Sequence, residues 1–159
     1  MIKSLKLPNP NLIKKIDLNC DMGEFIPGQI KNYDEEIMPY ISSCNIACGY
    51  HSGDTHTITK TVKSAIKNNV EIGAHPSYDD RENFGRLSIE VPMGMLMTQI
   101  EDQIKKVQKI TESMGTQLHH VKVHGALYND MLKNDTMAQA YVNLIHTIDP
   151  QLIVYTLAH

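Results

Sequence analysis

The chain has 159 residues, of which 42% are hydrophobic and 21% charged, and its formal net charge is -3 at pH 7. This length predicts about one domain, and the charge balance excludes both a disordered acidic tail and a basic nucleic-acid-binding protein. Residues 1–15 form an N-terminal leader without the apolar stretch of a secretory signal, and no segment has the roughly 18 apolar residues that a membrane span needs. Three cysteines without an export signal indicate reduced thiols. We therefore expect a cytoplasmic protein with no membrane or nucleic-acid partner.

Short apolar runs alternate with longer amphipathic segments along the chain, which is typical of βα units. The first predicted helix is capped by Asp54. The second opens at Pro92 and ends near Gly115, and the third stops before Pro150. Sequential strands joined by helices imply parallel pairing with right-handed crossovers. The predicted strands are 16–21, 44–51, 70–75, 119–124 and 152–157.

These units predict an α/β fold with about five parallel strands. A closed (β/α) barrel takes about 250 residues, so residues 16–159 are expected to form either an open five-stranded layer or a partial barrel. In a partial barrel the first and last strands lack neighbours, and exposed strand edges promote association. The second alternative therefore predicts a partner chain, which could be a second copy of this chain.

Four of the predicted strands have one apolar and one polar face, because side chains alternate along a strand. Antiparallel strands with one face in water alternate in the same way, but helices would cover the outer face of a parallel sheet. The polar faces would then lie inside a barrel, where carboxylates and imidazoles need partners or a ligand. Their polar residues include Asn19, Asp21, Asn45, His51, Glu71, His75, His120, Lys122 and His124.

The same four strands end in titratable residues that are closely followed by glycine, serine or proline. The residues are Asp21, His51, His75 and His124. Such chain breakers begin the βα loops that build the site at the carboxyl-terminal face of a barrel. A single histidine is more often structural, but four titratable strand ends are hard to attribute to packing. We expect the four side chains to meet at one rim.

One spacing superficially resembles a zinc site, that of Cys44, Cys48 and His51. Residues four apart on a strand are separated by about 13 Å, too far for two thiolates to share a zinc ion at about 2.3 Å, so this site is rejected. Aspartate and histidine at separate strand ends could instead hold a divalent metal. The sequence has neither a P-loop nor a G-x-S-x-G nucleophile elbow.

Five stretches of the chain carry a family resemblance. They are IDLNCDMGE at 16–24, CNIACGYHSGD at 44–54, IGAHPS at 72–77, NFGR at 83–86 and HVKVHGALYN at 120–129. In this order they resemble the LamB/YcsF family, the A subunit of bacterial ATP-dependent 5-oxoprolinase. The resemblance implies a barrel of the glycoside hydrolase/deacetylase type, here incomplete because its C-terminal part is absent. It also implies hydrolysis of the lactam 5-oxoproline to L-glutamate, with ATP as co-substrate, in a complex with the B and C subunits.

On this interpretation Asp21 and one of the histidines act as general base and acid. Lys122 stabilises negative charge on a phosphate or on the developing oxyanion. The predicted catalytic residues are thus Asp21, His51, His75, Lys122 and His124, and the predicted substrate-binding or positioning residues are Asn19, Asn45, Asp54 and Arg86.

Two other functions remain open at this point. One is a metal-dependent deacetylase or amidohydrolase that acts alone, with Asp21 and the histidines as ligands and a metal-bound water as nucleophile. The other is a non-catalytic assembly fragment, which the shortened barrel would favour.

Overall fold

The computed structural model describes residues 16–25 and 33–157 of the chain, so the predicted leader, residues 1–15, lies outside the described residues. The strands are β1 (Asn19–Met22), β2 (Ser43–Ala47), β3 (Glu71–His75), β4 (His120–Val121) and β5 (Ile153–Val154). The helices are α1 (Asp34–Ile37), α2 (Thr55–Asn68), α3 (Met93–Ser113), α4 (Gly125–Met131) and α5 (Asp135–Ile148), with a 3-10 helix at Met38–Tyr40.

The five strands form one parallel sheet in the order β1-β2-β3-β4-β5, as the sequence predicts. The register places Asp21 beside Asn45 and Asn45 beside Gly73, and Gly73 in turn beside His120. One row of residues from the predicted polar faces therefore crosses four strands. Between the strands run helices, which is the βα arrangement that requires crossover connections.

The sheet is strongly curved, with the polar row on its concave side. Neighbouring strands lie about 4.8 Å apart, so β1 and β5 of a flat sheet would be about 19 Å apart. Tyr155, which follows β5, nevertheless donates a hydrogen bond from its hydroxyl to Asp17, which precedes β1, over 2.9 Å. This contact across the concavity identifies a partial barrel rather than a flat open layer. Association through the outer edges of β1 and β5 stays a prediction.

The convex side of the sheet packs against helices and forms the apolar core. Helix α2 contacts β2 and β3, and α3 contacts β3 as well as α2 and α5. The α2 cap is the predicted one, since the Asp54 carboxylate accepts a hydrogen bond from the Thr57 N–H over 2.8 Å. None of the described helices is long and apolar enough to span a membrane. The core residues of α2 and α3 are Ile58, Val62, Ala65, Leu96, Ile100, Ile104 and Val107.

Several elements differ from the prediction: β2 ends at Ala47 rather than at His51, β5 contains only Ile153–Val154, and α1 and the 3-10 helix were not predicted. Strand β4 has only two residues. Beyond it, the N–H groups of Lys122 and His124 still donate to the carbonyls of Ala74 and Pro76, over 3.0 and 2.8 Å. Helix α4 begins directly after this extended segment and was not predicted. Seven residues are too few to establish a helical period in the sequence, so tertiary packing decides this element.

Candidate active site

Titratable side chains meet where the carboxyl ends of β1 to β4 face the concave side of the sheet. Some of these side chains belong to the strands, and the others belong to the loops that follow them. This is the face on which β/α barrels place their active sites. The residues are Asp21, Glu24, His51, His75, Lys122 and His124.

Four of them, Glu24, His51, His75 and His124, form what we call the histidine cluster. Glu24 Oε1 is 3.0 Å from His51 Nε2 and 3.3 Å from His124 Nδ1. The same oxygen is 3.8 Å from His75 Nε2. His75 Nε2 and His124 Nδ1 are 3.1 Å apart. All three imidazoles are buried, so a single carboxylate oxygen lies among three ring nitrogens shielded from water.

His51 is oriented through its other ring nitrogen. Its Nδ1 lies 2.9 Å from Ser77 Oγ, and Ser77 uses its own hydroxyl proton to donate to the Tyr78 carbonyl over 2.8 Å. Ser77 Oγ therefore accepts from His51 Nδ1–H, which leaves Nε2 to face Glu24. Gln103 of α3 holds Ser77 in turn, because its side-chain amide pairs with both the N–H and the carbonyl of Ser77.

His75 and His124 are fixed by backbone carbonyls. His75 Nδ1 lies 2.5 Å from the Lys122 carbonyl oxygen, and His124 Nε2 lies 2.8 Å from that of Phe84. A carbonyl only accepts, so both of these nitrogens carry a proton. The nitrogens that remain, His75 Nε2 and His124 Nδ1, face into the cluster.

The loop that supplies the Phe84 carbonyl has an unusual backbone. Phe84 adopts a left-handed conformation with φ of 56°, which is uncommon for a bulky residue and is often found at functional sites. Gly85 follows with φ of 65°, and a Cβ at this position would lie 2.9 Å from the Cβ of His51. A glycine is therefore required for the loop to approach the cluster this closely.

Burial dominates the protonation of the cluster. It lowers the pKa of His51 to about 3 and that of His124 to about 4, and the neighbouring imidazoles lower both further. Both rings are thus neutral at pH 7. Burial also raises the pKa of Glu24 above its ordinary value, against the opposing effect of His75 and His124. Glu24 is therefore easier to protonate than an exposed glutamate.

Asp21 has the opposite character. Burial alone would raise its pKa, but His75, Lys122 and Asn45 together hold the pKa of this carboxyl well below its usual range. Asp21 Oδ1 accepts from Lys122 Nζ over 2.7 Å and from Asn45 Nδ2 over 2.6 Å. Its Oδ2 lies 3.4 Å from His75 Nε2. Asp21 is an ionised anchor that holds the Lys122 ammonium beside the cluster.

A second group of polar residues, which we call the lower network, lies toward the amino ends of the same strands. Asp17 accepts hydrogen bonds from the hydroxyls of Ser43 and Tyr155. The His120 ring stacks on Tyr155 with centroids 4.0 Å apart, and His120 Nε2 lies 2.7 Å from Asn45 Oδ1. The further members are Asn19, which donates to Ser43 and Asn45, and Ser42, which donates to Asp17.

A cavity of about 530 Å³ opens beside the cluster. A larger cavity of about 830 Å³ lies around Ser88 and Lys133, but no histidine lines it, so the chemistry belongs to the smaller one. Residues of three strand ends, of the Phe84 loop and of α4 line the smaller cavity. They include Asp21, His75, Arg86, Lys122, His124 and Asn129.

The structure brings together most of the predicted site residues. All five predicted catalytic residues meet, Asn19 and Asn45 lie beneath Asp21, and Arg86 lies in the cavity wall with its guanidinium 5.5 Å from the Phe84 ring centroid. Asp54 does not join them, because it is an exposed helix cap. Glu24 was not predicted as a site residue, although it follows Asp21 closely in a loop after a strand.

The structure is consistent with the rejection of a zinc site at Cys44, Cys48 and His51. Burial raises the pKa of both Cys44 and Cys48 to about 12, so both thiols stay protonated at neutral pH. Within the described residues, the groups with metal-ligating geometry contain aspartate, glutamate and histidine but no cysteine.

Fold and site together define a β/α-barrel protein with a buried carboxylate and histidine centre. The chain belongs to the LamB/YcsF family, whose model matches residues 16–159. The 5-oxoprolinase A subunit of Bacillus cereus (strain AH187) is 42% identical over 144 residues, which cover 91% of this chain and 57% of that protein. The protein of the same name from Shouchella clausii (strain KSM-K16) is 44% identical over 143 residues, covering 90% of this chain and 56% of that protein.

A solved structure is also closely similar. The lactam utilization protein from Thermus thermophilus superposes with a TM-score of 0.85 at 35% identity, over 91% of this chain and 58% of that chain. The present chain thus spans a little over half the length of the relatives that it matches.

Proposed function

We propose that this chain belongs to the A subunit of an ATP-dependent 5-oxoprolinase and contributes the groups that open the lactam of 5-oxoproline. Membership of the LamB/YcsF family and the names of the relatives support this substrate class. The B and C subunits are the proposed partners, and ATP is the proposed co-substrate.

One observation carries the proposal. A Lys122 ammonium, held by the ionised Asp21 carboxylate, lies in the wall of the cavity next to the histidine cluster. A fixed cation suits a reaction in which negative charge develops on oxygen, and a buried carboxyl with a raised pKa suits proton transfer near neutral pH. Hydrolysis of an amide requires both.

The proposed reaction begins with activation of the lactam carbonyl. Phosphorylation of the amide oxygen by ATP releases ADP and activates the lactam carbon, which water then attacks. Lys122 stabilises the negative charge on the phosphate and on the developing oxyanion. Glu24 accepts the proton of the attacking water and returns a proton to the ring nitrogen as the carbon–nitrogen bond breaks. Ring opening leaves an acyl phosphate of glutamate, and a second water hydrolyses it, so the products are L-glutamate, ADP and phosphate.

The other residues of the site have positioning roles in this proposal. Asp21 was predicted as a base, but its low pKa makes it a weak proton acceptor, so we assign to it the orientation of Lys122. Asn45 donates a hydrogen bond to Asp21, and Asn19 in turn donates to Asn45. Arg86, at the cavity wall, suits the carboxylate of 5-oxoproline.

The test is ATP-dependent glutamate formation by this chain together with its cognate B and C subunits. We expect Lys122→Met to lower kcat by at least 100-fold, because it removes the cation that stabilises the oxyanion. The matched control is Lys109→Met, at an exposed position of α3, which we expect to leave turnover unchanged.

Wild-type turnover in Lys122→Met would overturn the assignment of the site. If 5-oxoproline were consumed equally without ATP, the proposal would give way to an ATP-independent amidohydrolase. Absence of turnover in the complete three-subunit mixture would overturn the proposed function itself.

A further inference from the structure

Four residues with potential metal-ligand atoms lie close together in the site. Asp21, Glu24 and His75 each offer one such atom, and these three atoms lie within 4.8 Å of one another. His124 Nδ1 adds a fourth atom, 3.1 Å from His75 Nε2 and 3.3 Å from Glu24 Oε1. Ligands bound at about 2.0–2.1 Å to one tetrahedral ion are separated by about 3.4 Å, so these spacings are those of a metal's ligand shell.

The rings of His75 and His124 each donate a proton away from the other ligand atoms. His75 Nδ1 and His124 Nε2 each spend their proton on a backbone carbonyl. When each ring carries a single proton, His75 Nε2 and His124 Nδ1 present lone pairs to each other across 3.1 Å, with carboxylate oxygens beside them. Lone pairs at this distance repel unless a proton or a cation lies between them.

The ring planes select which histidines share an ion. An imidazole binds a metal in its own plane through the nitrogen lone pair. The His75 and His124 planes are nearly perpendicular, at 84°, so their lone pairs can meet at one point. The His51 ring is parallel to His124, at 5° with centroids 3.8 Å apart, so an ion in the plane of either ring lies well outside the plane of the other. His51 is therefore not a ligand of an ion that His124 binds.

We propose that Asp21, Glu24, His75 and His124 bind one divalent transition-metal ion, with zinc as the best match to two imidazoles and two carboxylates. The carbonyls that fix His75 and His124 are the partners that metal-bound histidines ordinarily have. His51 supports the centre from outside by its contact with Glu24. The inference does not depend on the proposed function, and in the metal-bound form Glu24 is a ligand instead of the proton acceptor assigned above.

The test is calorimetric titration of the full chain, stripped by a chelator, with ZnCl₂ at pH 7.5. We expect one ion per chain, because the ligand atoms of Asp21, Glu24, His75 and His124 form a single group. Titration with CoCl₂ should give the visible absorption of cobalt bound by nitrogen and oxygen, a readout independent of catalysis.

Variants separate ligands from their neighbours. We expect His124→Ala and His75→Ala to weaken binding at least 100-fold, His51→Asn to weaken it about 10-fold as an outer contact, and the exposed control His56→Ala to bind like wild type. Circular dichroism checks that each variant is folded.

Two results would overturn the metal site. One is that the wild-type chain binds neither ion stoichiometrically, which would mean that protons fill the centre. The other is that folded His124→Ala and His75→Ala bind zinc as the wild type does. If a variant does not fold, the cobalt spectrum of the wild type still decides the outcome. A chain that binds zinc but opens no lactam with its partners would refute the proposed function and leave this inference standing.

Discussion

The histidine cluster and the lower network lie on the same concave face, yet their hydrogen bonds are of different kinds. In the lower network donors face acceptors, as where two hydroxyls donate to the Asp17 carboxylate. In the cluster, one carboxylate oxygen lies among three ring nitrogens, while the other ring nitrogens of His75 and His124 donate to backbone carbonyls. Satisfied buried polar groups stabilise a fold, whereas unsatisfied ones cost stability and mark reactive sites. The lower network is therefore structural, and the cluster is the reactive region.

The largest effect that separates the two regions is expected at Asp21. Asp21→Ala removes the partner of Lys122 and leaves that ammonium without its anchor. We expect kcat for ATP-dependent glutamate formation in the three-subunit complex to fall about 1000-fold, within the range for loss of a group that orients catalytic residues. Asp54→Ala, at an exposed cap outside the cluster, is the control and should lose less than about 2-fold. Equal losses of kcat in both variants would contradict the proposal that Asp21 orients Lys122.

A change in the lower network should act on stability instead. Gly73 faces the His120 ring so closely that a Cβ at this position would overlap the imidazole. We expect Gly73→Ala to lower the free energy of unfolding by about 2 kcal/mol, as overpacking does, measured by urea denaturation. Activity per folded molecule should change little. A large loss of kcat without a loss of stability would place His120 in the reactive region.

Gln103 links α3 to the cluster and should have a mixed effect. Gln103→Leu leaves the buried N–H and carbonyl of Ser77 without partners, which costs about 1–3 kcal/mol in urea denaturation. Because Ser77 orients His51, we also expect a several-fold fall in kcat. Gln103→Glu keeps the acceptor for the Ser77 N–H and should be the milder change. No loss of stability in the leucine variant would contradict this linkage.

A further predicted effect is on the pH dependence of stability. The pKa of His51 is lowered to about 3, and those of His120 and His124 to about 4, from about 6.5 in the unfolded chain. The unfolded chain therefore binds more protons, and stability should fall as pH decreases from about 6.5 to 4. The raised pKa of Glu24 opposes part of this loss.

Urea denaturation at pH 7.5 and pH 5 measures the slope. We expect His124→Asn to have a shallower slope than wild type, and the exposed control His56→Ala to have an unchanged one. A stability that is constant over this range in the wild type would contradict the neutral, buried imidazoles.

The sequence predicted the parallel pairing and the meeting of Asp21, His51, His75 and His124, because the carboxyl ends of parallel strands and the loops after them lie at one face of a barrel. The period of two does not explain His51, which lies in the loop after β2. The sequence did not supply Glu24, which lies in a loop where no period applies. The pairing of ring protons with the Lys122 carbonyl is likewise absent from the sequence, since it depends on tertiary distances.

The interpretation of Asp54 shows the same limit. Its position before a helix predicts an N-cap, and its place in a motif shared with His51 predicts a site residue. Only the structure separates the two, because it places the carboxylate on the Thr57 N–H at an exposed helix start.

The most direct test of the distinction between the two regions is a paired measurement on Glu24→Gln, of glutamate formation in the complex and of unfolding in urea. The substitution keeps the shape of the side chain but removes the carboxylate that lies among three imidazoles. We predict a fall in kcat of at least about 100-fold, as for loss of a general acid–base group, with a free energy of unfolding equal to or above that of the wild type. Wild-type turnover together with a loss of stability would show that the histidine cluster is structural, and would contradict the account.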